Sequence, residues 1–344
     1  MKVGVIGNEA SDADSIVSAI VYAWYLNKTQ PENDYITFVQ CPFEELEDRL
    51  DFQEICKVSK FRVTDSIESL HSSTTEISEW ILLDHHFPST WHACKFSTAF
   101  NVGEILDHHE VVTVESKNFV DSVKSVDIRT IGSTCTIVAQ KLLATLAPTE
   151  IPQHLLWMLF LTIVIDTGNL SPELRKTTTA DIEVYDQLKT LLKIDQVGPL
   201  FERLANAKFN PEFWNKAPLD RILRYDFKEM NGVGYSVILR SLVGIDDGEI
   251  AQYADSRGYR LFVVSSGFYD EESKSIKREL LLYLPKISES IATIITSVER
   301  LVPGRVHCVS KERCMARLEV LATAFSRKKF FPILLKILET NNVL

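Results

Sequence analysis

The sequence predicts an α/β protein, in which an N-terminal domain built on a mainly parallel sheet precedes a smaller α/β domain with a mixed sheet. Three observations predict it. In the first half, short apolar runs alternate with segments of helical character. Three of those early segments run into aspartates, at Asp12 with Asp14, at Asp84 and at Asp107. After about residue 195 the alternation gives way to several strand-like segments with helices between and after them.

Residues 3–7 (Val-Gly-Val-Ile-Gly) read as the first strand and 14–26 as the helix that follows it. Residues 35–40 form a second strand, and 80–83 and 105–106 read as short buried strands. Residues 123–128 give another strand, followed by a helix from about 133 to 146. Residues 155–165 read as a buried helix with Asp166 at its end. In the second half, strands are expected over 221–228, 235–242, 259–266 and 277–284, and helices over 248–257, 287–300 and 326–339. The domain boundary falls near 190–215, a stretch that includes Pro199 and Pro211, which gives domains over 1–195 and 212–344.

The 344 residues suit two domains better than one. Hydrophobic residues at 45% and charged residues at 24% are ordinary for a soluble globular chain. The longest strongly apolar run, 155–165, is too short to span a bilayer, and the N-terminal run breaks at Asn8-Glu9 with no signal-peptide pattern. Six cysteines (Cys41, Cys56, Cys94, Cys135, Cys308, Cys314) show no CxxC pair, so a reducing, cytoplasmic setting is expected, with no membrane partner. The net charge of −10 argues against nucleic-acid binding. A polyanionic substrate stays open, since metals and a local basic cluster can make one cleft positive.

In an open parallel sheet, ligands bind at the carboxyl ends of the strands. Several carboxylates gathered there repel one another unless cations sit between them. A dinuclear metal centre, and with it phosphate chemistry, is the economical explanation. Asp12 and Asp14 lie on the turn 8–15, where two aspartates one residue apart can face two different metals. Ordinary helix capping is the plainer role for such a pair. Asp84-His85-His86 and Asp107-His108-His109 repeat one pattern 23 positions apart, each after an apolar strand. One such aspartate is commonly a turn residue and one such histidine a satisfied core group; the repetition is what departs from that. Asp166 adjoins so apolar a run that it needs a partner, and a metal is a good one. Oxygen-rich ligand sets favour Mg²⁺ or Mn²⁺.

Taken in order, Asn8…Asp12-Ala13-Asp14, Asp84, Asp107-His108-His109 and Asp166 resemble the four motifs of the DHH phosphoesterase superfamily, and the resemblance extends over nearly the whole chain. It implies two divalent cations, Mg²⁺ or Mn²⁺. One would be held by Asp12 and Asp84 with Asn8 nearby. The other would be held by Asp14, Asp84, His108 and Asp166, with Asp84 bridging. Asp107 would orient a histidine, and His109 would face the substrate as electrophile or general acid. A water between the metals would be the nucleophile. Asp84-His85-His86 falls at the second motif, where only the aspartate is required, so His85 and His86 are left beside the ligands, next to substrate, or purely structural.

The second half resembles the C-terminal domain shared by family II pyrophosphatases, eukaryotic exopolyphosphatases and prune-like proteins. The resemblance rests on Asp226-Phe227-Lys228 and on Ser326-Arg327-Lys328-Lys329. It implies Lys228, Arg327 and Lys328 as substrate-binding residues, with the active site in the cleft between the domains. The second run has its own physical oddity, because three cations at the start of a helix oppose its dipole unless a polyanion binds there. A solvated basic turn is the plainer alternative. Gly132-Ser133 could present backbone N–H groups to phosphate or simply cap a helix, and Arg129 is a further phosphate contact to consider. Lys176, Thr178 and Asp181 follow Asp166 in a pattern the family shares.

Asn8 departs from the pyrophosphatases, which carry histidine there, and Gly7-Asn8-Glu9-Ala10-Ser11-Asp12-Ala13-Asp14-Ser15 is close to the exopolyphosphatase and prune branch. Prune-like proteins commonly replace the last histidine of the third motif by arginine, whereas His109 is present. The expectation is therefore a phosphoanhydride hydrolase that removes terminal phosphate from linear polyphosphate. Pyrophosphatase, cyclic-nucleotide or short-polyphosphate phosphodiesterase, and a non-enzymatic interaction module are the alternatives.

Overall fold

In the first of two units, Met1–Phe209, six strands form one parallel sheet. They are β1 (Lys2–Ile6), β2 (Asp34–Val39), β3 (Ile67–Ser69), β4 (Glu79–Leu83), β5 (Val102–Asp107) and β6 (Ser125–Ile128), in the order β3-β2-β1-β4-β5-β6. The helices of this unit are α1 (Ala13–Thr29), α2 (Leu50–Ser59), α3 (Val114–Ser122), α4 (Thr134–Thr145), α5 (Gln153–Asp166), α6 (Thr179–Leu192) and α7 (Gly198–Lys208). The computed structural model describes residues 1–63, 67–88, 101–111, 113–270, 272–285, 291–302, 304, 306–311, 314–321 and 327–340.

A parallel sheet buries both faces, and the two-residue repeat of β4 serves both. Ile81 and Leu83 join the core formed with α1, α4 and α5. Trp80 and Leu82 turn to the other face with Ile6, Phe38 and Ile105, where Phe119 and Val120 of α3 pack. Helix α5 is apolar on every side, and the four successive residues Met158, Leu159, Phe160 and Leu161 are all buried. A helix can do this only when protein surrounds it. Each such side chain contributes roughly 1.5–3 kcal/mol of burial. Asp166 is thereby fixed at the end of the most buried helix of the unit.

The strand order reverses between β1 and β4: the chain passes from β1 to β2 on one side and from β4 to β5 on the other. Such a reversal opens a crevice beyond the carboxyl ends of the two strands. Gly7 closes β1 there. A Cβ on it would lie 2.7 Å from both Cβ and the carbonyl oxygen of Ser15, so glycine lets the first turn of α1 sit directly against the strand end.

The second unit, Asn210–Leu344, begins with α8 (Pro211–Lys216) and α9 (Leu219–Tyr225). There follow β7 (Asp226–Met230), β8 (Val233–Ile238), α10 (Asp247–Ser256), β9 (Leu261–Asp270), β10 (Ser275–Tyr283), α11 (Ile291–Leu301), β11 (Val306–Lys311), β12 (Met315–Val320) and α12 (Arg327–Thr340). The sheet runs β11-β12-β10-β9-β8-β7 and is mixed, with β8 and β9 parallel and the other pairs antiparallel. Helices α11 and α12 cover one face over Tyr235, Val263 and Leu280, while α8, α9 and α10 cover the other over Ile238, Phe262 and Leu281.

Both sheets are of the expected kinds. The strand expected over 221–228 is half helix, because Pro218 starts α9 and Ile222, Leu223 and Tyr225 are buried on it. The strand begins only at Asp226. Strands β3, β11 and β12 were not expected; β3 has three residues, and β11 and β12 are interrupted by charged side chains that weaken their apolar alternation. Residues 287–290 of the expected helix and Ser326 lie outside the described residues. Among the described residues no helix is long and apolar enough to cross a membrane.

Replacing Gly7 by alanine should overpack the β1–α1 junction and cost about 1–3 kcal/mol. Urea unfolding of the Gly7→Ala protein checks this, and an unchanged midpoint would show that the junction is loose.

Candidate metal centre

The turn after β1 carries Asn8, Asp12 and Asp14. Asp12 is the N-cap of α1, its Oδ1 accepting from the Ser15 amide at 3.0 Å, so the plain capping role is present. Asp14 does something different. It reaches to the N-terminus of α4, where it accepts from the amides of Thr134 (2.8 Å) and Cys135 (2.9 Å) and from Ser133 Oγ (2.7 Å). These donors are the unpaired first-turn N–H groups of a helix, which favour a negative charge. Three amides of this segment are engaged within the protein: Gly132 N donates to Asp181 Oδ2 at 2.9 Å, and those of Thr134 and Cys135 donate to Asp14.

Asp84 follows β4 with its backbone in the left-handed region, φ +62°. A non-glycine residue held there is strained, and such strain gathers at functional sites. Its Oδ2 accepts from Asn8 Nδ2 (2.7 Å) and Ser15 Oγ (2.8 Å), and its Oδ1 from Thr134 Oγ1 (3.2 Å). The Asn8 side chain is held at both ends, since its Oδ1 accepts from the Ala10 amide at 2.9 Å. Asn8 thus orients Asp84.

Asp107 is completely buried at the end of β5. Its Oδ1 accepts from the amides of His108 (2.7 Å) and His109 (3.1 Å) and from His109 Nδ1 (2.7 Å), and its Oδ2 from His86 Nδ1 (2.5 Å). Burial alone would push this carboxyl up, yet the two imidazoles hold it well below the usual carboxylate range. One ionised carboxylate therefore fixes His109 and His86 together, each with its proton on Nδ1. His86 Nε2 is buried and has no hydrogen-bond partner.

His108 Nδ1 lies 3.0 Å from the carbonyl of Ile131. A carbonyl only accepts, so Nδ1 carries the hydrogen, and Nε2 faces Asp84 Oδ1 at 3.3 Å and Asp14 Oδ2 at 3.9 Å; in the neutral ring this nitrogen is an acceptor. Two acceptors facing each other repel unless a cation lies between them. Asp84, His108 and His109 each offer a ligand atom within 4.8 Å of the others. Asp166, at the end of α5, has a buried Oδ2 with no hydrogen-bond partner among the described residues. It also sits at the negative end of a helix dipole, which disfavours its charge. Desolvation, then Asp84 and Asp166, push Asp12 up to about 6, and desolvation, then Asp84, do the same for Asp14. Desolvation and Asp14 push Asp166 up to about 7. The donor set, the opposed acceptors and the orphaned Asp166 oxygen all fit hard divalent cations.

In the second unit, Asp226 and Lys228 share one face of β7 by their spacing. Arg327, at the start of α12, is paired with Asp226: Nη1 is 2.6 Å from its Oδ1 and donates to its carbonyl at 3.1 Å. The side chain of Lys328 lies outside the described residues. Arg129 is engaged by Asp127 at 2.7 Å and donates to Gln140 at 2.8 Å. Thr178 and Asp181 form a capping box on α6, and Asp181 also accepts from Thr136 at 2.7 Å, while Lys176 is exposed.

The raised carboxyls set the pH dependence of the metal-free protein. Their folded values lie above the ordinary aspartate value of 3.8, so the folded state keeps protons that the unfolded chain gives up. Their stability contribution is complete below about pH 4 and is lost as pH rises through 6 to 7. With chelator present, Tm should fall between pH 5 and 7.5, more shallowly in Asp166→Asn, and saturating Mn²⁺ should remove the fall and release protons. A Tm that is flat or rises over that window would contradict this account.

Residues 2–163 match the DHH family, N-terminal domain. The chain is 26% identical to "Exopolyphosphatase PRUNE1" of Rattus norvegicus over 351 residues, covering 96% of this chain and 74% of that protein. It is likewise 26% identical to the protein of that name in Homo sapiens over 354 residues, with the same shares. To a "Putative exopolyphosphatase" of Schizosaccharomyces pombe it is 25% identical over 360 residues, covering 96% of this chain and 89% of the other. The matched segment runs from β1 into α5 and takes in the turns that carry Asp12, Asp14, Asp84 and Asp107 to His109. Residues 2–163 thus match the N-terminal domain of the DHH family, and over 96% of its length the chain is similar to proteins named exopolyphosphatase.

Proposed function

We propose that this protein is a divalent-cation-dependent phosphoanhydride hydrolase that removes terminal phosphate from linear polyphosphate. One observation carries the reading: His108 Nε2 and Asp84 Oδ1 lie 3.3 Å apart, with His109 close by, where the strand order reverses. The exopolyphosphatase names of its relatives supply the substrate class. Asp12, Asp14, Asp84, His108 and Asp166 hold two cations, with Asn8 setting the rotamer of Asp84. When bound, the cations polarise phosphoryl oxygens and lower the pKa of an attacking water.

The remaining work falls to this chain's own side chains. Asp107 fixes the His109 ring through Nδ1, so proton delivery to the leaving phosphate oxygen falls to Nε2. An ionised carboxylate behind an imidazole also stabilises its protonated form, which suits a general acid. Lys228, Arg327 and Lys328 neutralise the remaining phosphates of the substrate. Arg327 is pre-oriented by Asp226, which removes part of the entropic cost of clamping an anion. An amide at Asn8 in place of an imidazole leaves the site poorer in nitrogen ligands and favours Mg²⁺ over softer ions.

The test is product formation with Mg²⁺ from polyphosphate, pyrophosphate and cAMP. Release from polyphosphate should be metal-dependent, absent in Asp166→Asn, and reduced about 10²–10⁴-fold in His109→Gln with little change in metal affinity. Preference for pyrophosphate or cAMP would replace the substrate while keeping the site. Absence of metal-dependent turnover on all three would remove the enzyme reading.

A further inference from the structure

Arg49 stands 35 or more positions from every residue considered above as a metal ligand, and its side chain is completely buried, with no exposed surface. A guanidinium cannot shed its charge, so burying one is costly unless its donors are used. Here they reach the backbone of the Asn8–Asp14 turn. Nε donates to the carbonyls of Ala10 and Ser11, both at 3.1 Å, and Nη2 donates to Ala10 at 2.8 Å. The carbonyl of Ser11 belongs to the peptide that leads directly into Asp12.

That turn needs holding. Ser11 lies in the left-handed region at φ +48°, which costs a non-glycine residue about 1–2 kcal/mol. Its Oγ accepts from the amides of Gln40 and Cys41, both at 3.2 Å, and Gln40 Nε2 donates to the Gly7 carbonyl at 2.8 Å. These neutral contacts fix the start and middle of the turn. The rigid fork of Arg49 fixes the two carbonyls just before Asp12, and a lysine cannot reproduce that two-carbonyl geometry.

We infer that Arg49 is a positioning residue for the metal centre: it clamps the Ala10 and Ser11 carbonyls and so sets where Asp12 and Asp14 present their carboxylates. The inference rests on the two-cation reading of the site. Residues that orient ligands in this way commonly change metal affinity 10–100-fold when replaced.

The experiment measures Mn²⁺ affinity, by electron paramagnetic resonance of free Mn²⁺, in the full chain and in Arg49→Lys, Arg49→Met and Leu204→Ala. Leu204 is a buried core residue of α7, and its truncation supplies a destabilised control away from the turn. Arg49→Lys keeps the charge and most of the volume, so it is the variant expected to stay folded. Both Arg49 variants should bind Mn²⁺ at least about 10-fold more weakly, while Leu204→Ala lowers Tm and keeps the native affinity. Native affinity in the folded Arg49 variants, or an Arg49→Lys protein that cannot fold at all, would assign Arg49 to the fold alone and overturn the inference. An equal loss in Leu204→Ala would overturn it too. Failure of the unaltered protein to bind Mn²⁺ would remove the two-cation reading itself, and this inference with it.

Discussion

The structure of the first unit turns on one electrostatic constraint: four carboxylates, the buried Asp14 and Asp84 and the half-buried Asp12 and Asp166, are gathered at one end of a parallel sheet. Mutual repulsion and desolvation act together, and both oppose ionisation. Much of the surrounding architecture answers this. The N-terminus of α4 points two amides at Asp14, and α1 begins beneath Asp12, so two helix dipoles present their favourable ends. Hydroxyl and amide groups from Ser15, Thr134 and Asn8 converge on Asp84. Asp166 has the opposite surroundings, at the wrong end of its helix and with an oxygen left over, and it carries the most raised of the three pKa values.

Asp107 shows the same burial with the opposite result. It is as inaccessible as any carboxylate in the chain, yet four donors hold it ionised. A site containing carboxyls pushed in opposite directions has divided its labour. The raised set suits capture of cations, while the lowered one suits alignment of imidazoles. His86 belongs to the second group, and it enters through the far oxygen of the carboxylate that holds His109.

Much of this was legible in the chain. Short apolar runs that meet an aspartate mark strand ends in a parallel sheet, and a parallel sheet binds ligands at that edge. The first holds for β4 and β5, while β1 ends ahead of the turn that carries Asp12 and Asp14. Which partner each carboxylate takes was not legible, because those contacts cross the fold. Nothing local tells that Asp14 answers to Thr134 and Cys135 while Asp12 caps its own helix. The paired histidines after Asp84 looked like a repeat of those after Asp107, yet His86 Nδ1 bonds to Asp107 and His85 Nδ1 lies 2.9 Å from the Leu83 carbonyl. Arg49 gave no signal at all, since an arginine between acidic residues ordinarily reads as surface. In the second unit, Ile222, Leu223 and Tyr225 suit helix and strand periodicity alike, and Pro218 decided for helix.

The hydrogen bonds that organise the centre join residues far apart along the chain: Ser15 to Asp84 spans 69 positions, Thr134 to Asp84 spans 50, and Asp14 to Thr134 spans 120. Loop closure over such distances is entropically slow and is rewarded only once the intervening strands have paired. The constellation therefore forms only where these distant segments meet, and no local stretch of chain can assemble it alone. Each partial assembly would place some of the carboxylates together before their compensating donors arrive. A cation captured at the final stage would act as a latch on a nearly finished topology, and a nascent chain that stops short of α4 would lack the donors that make Asp14 tolerable.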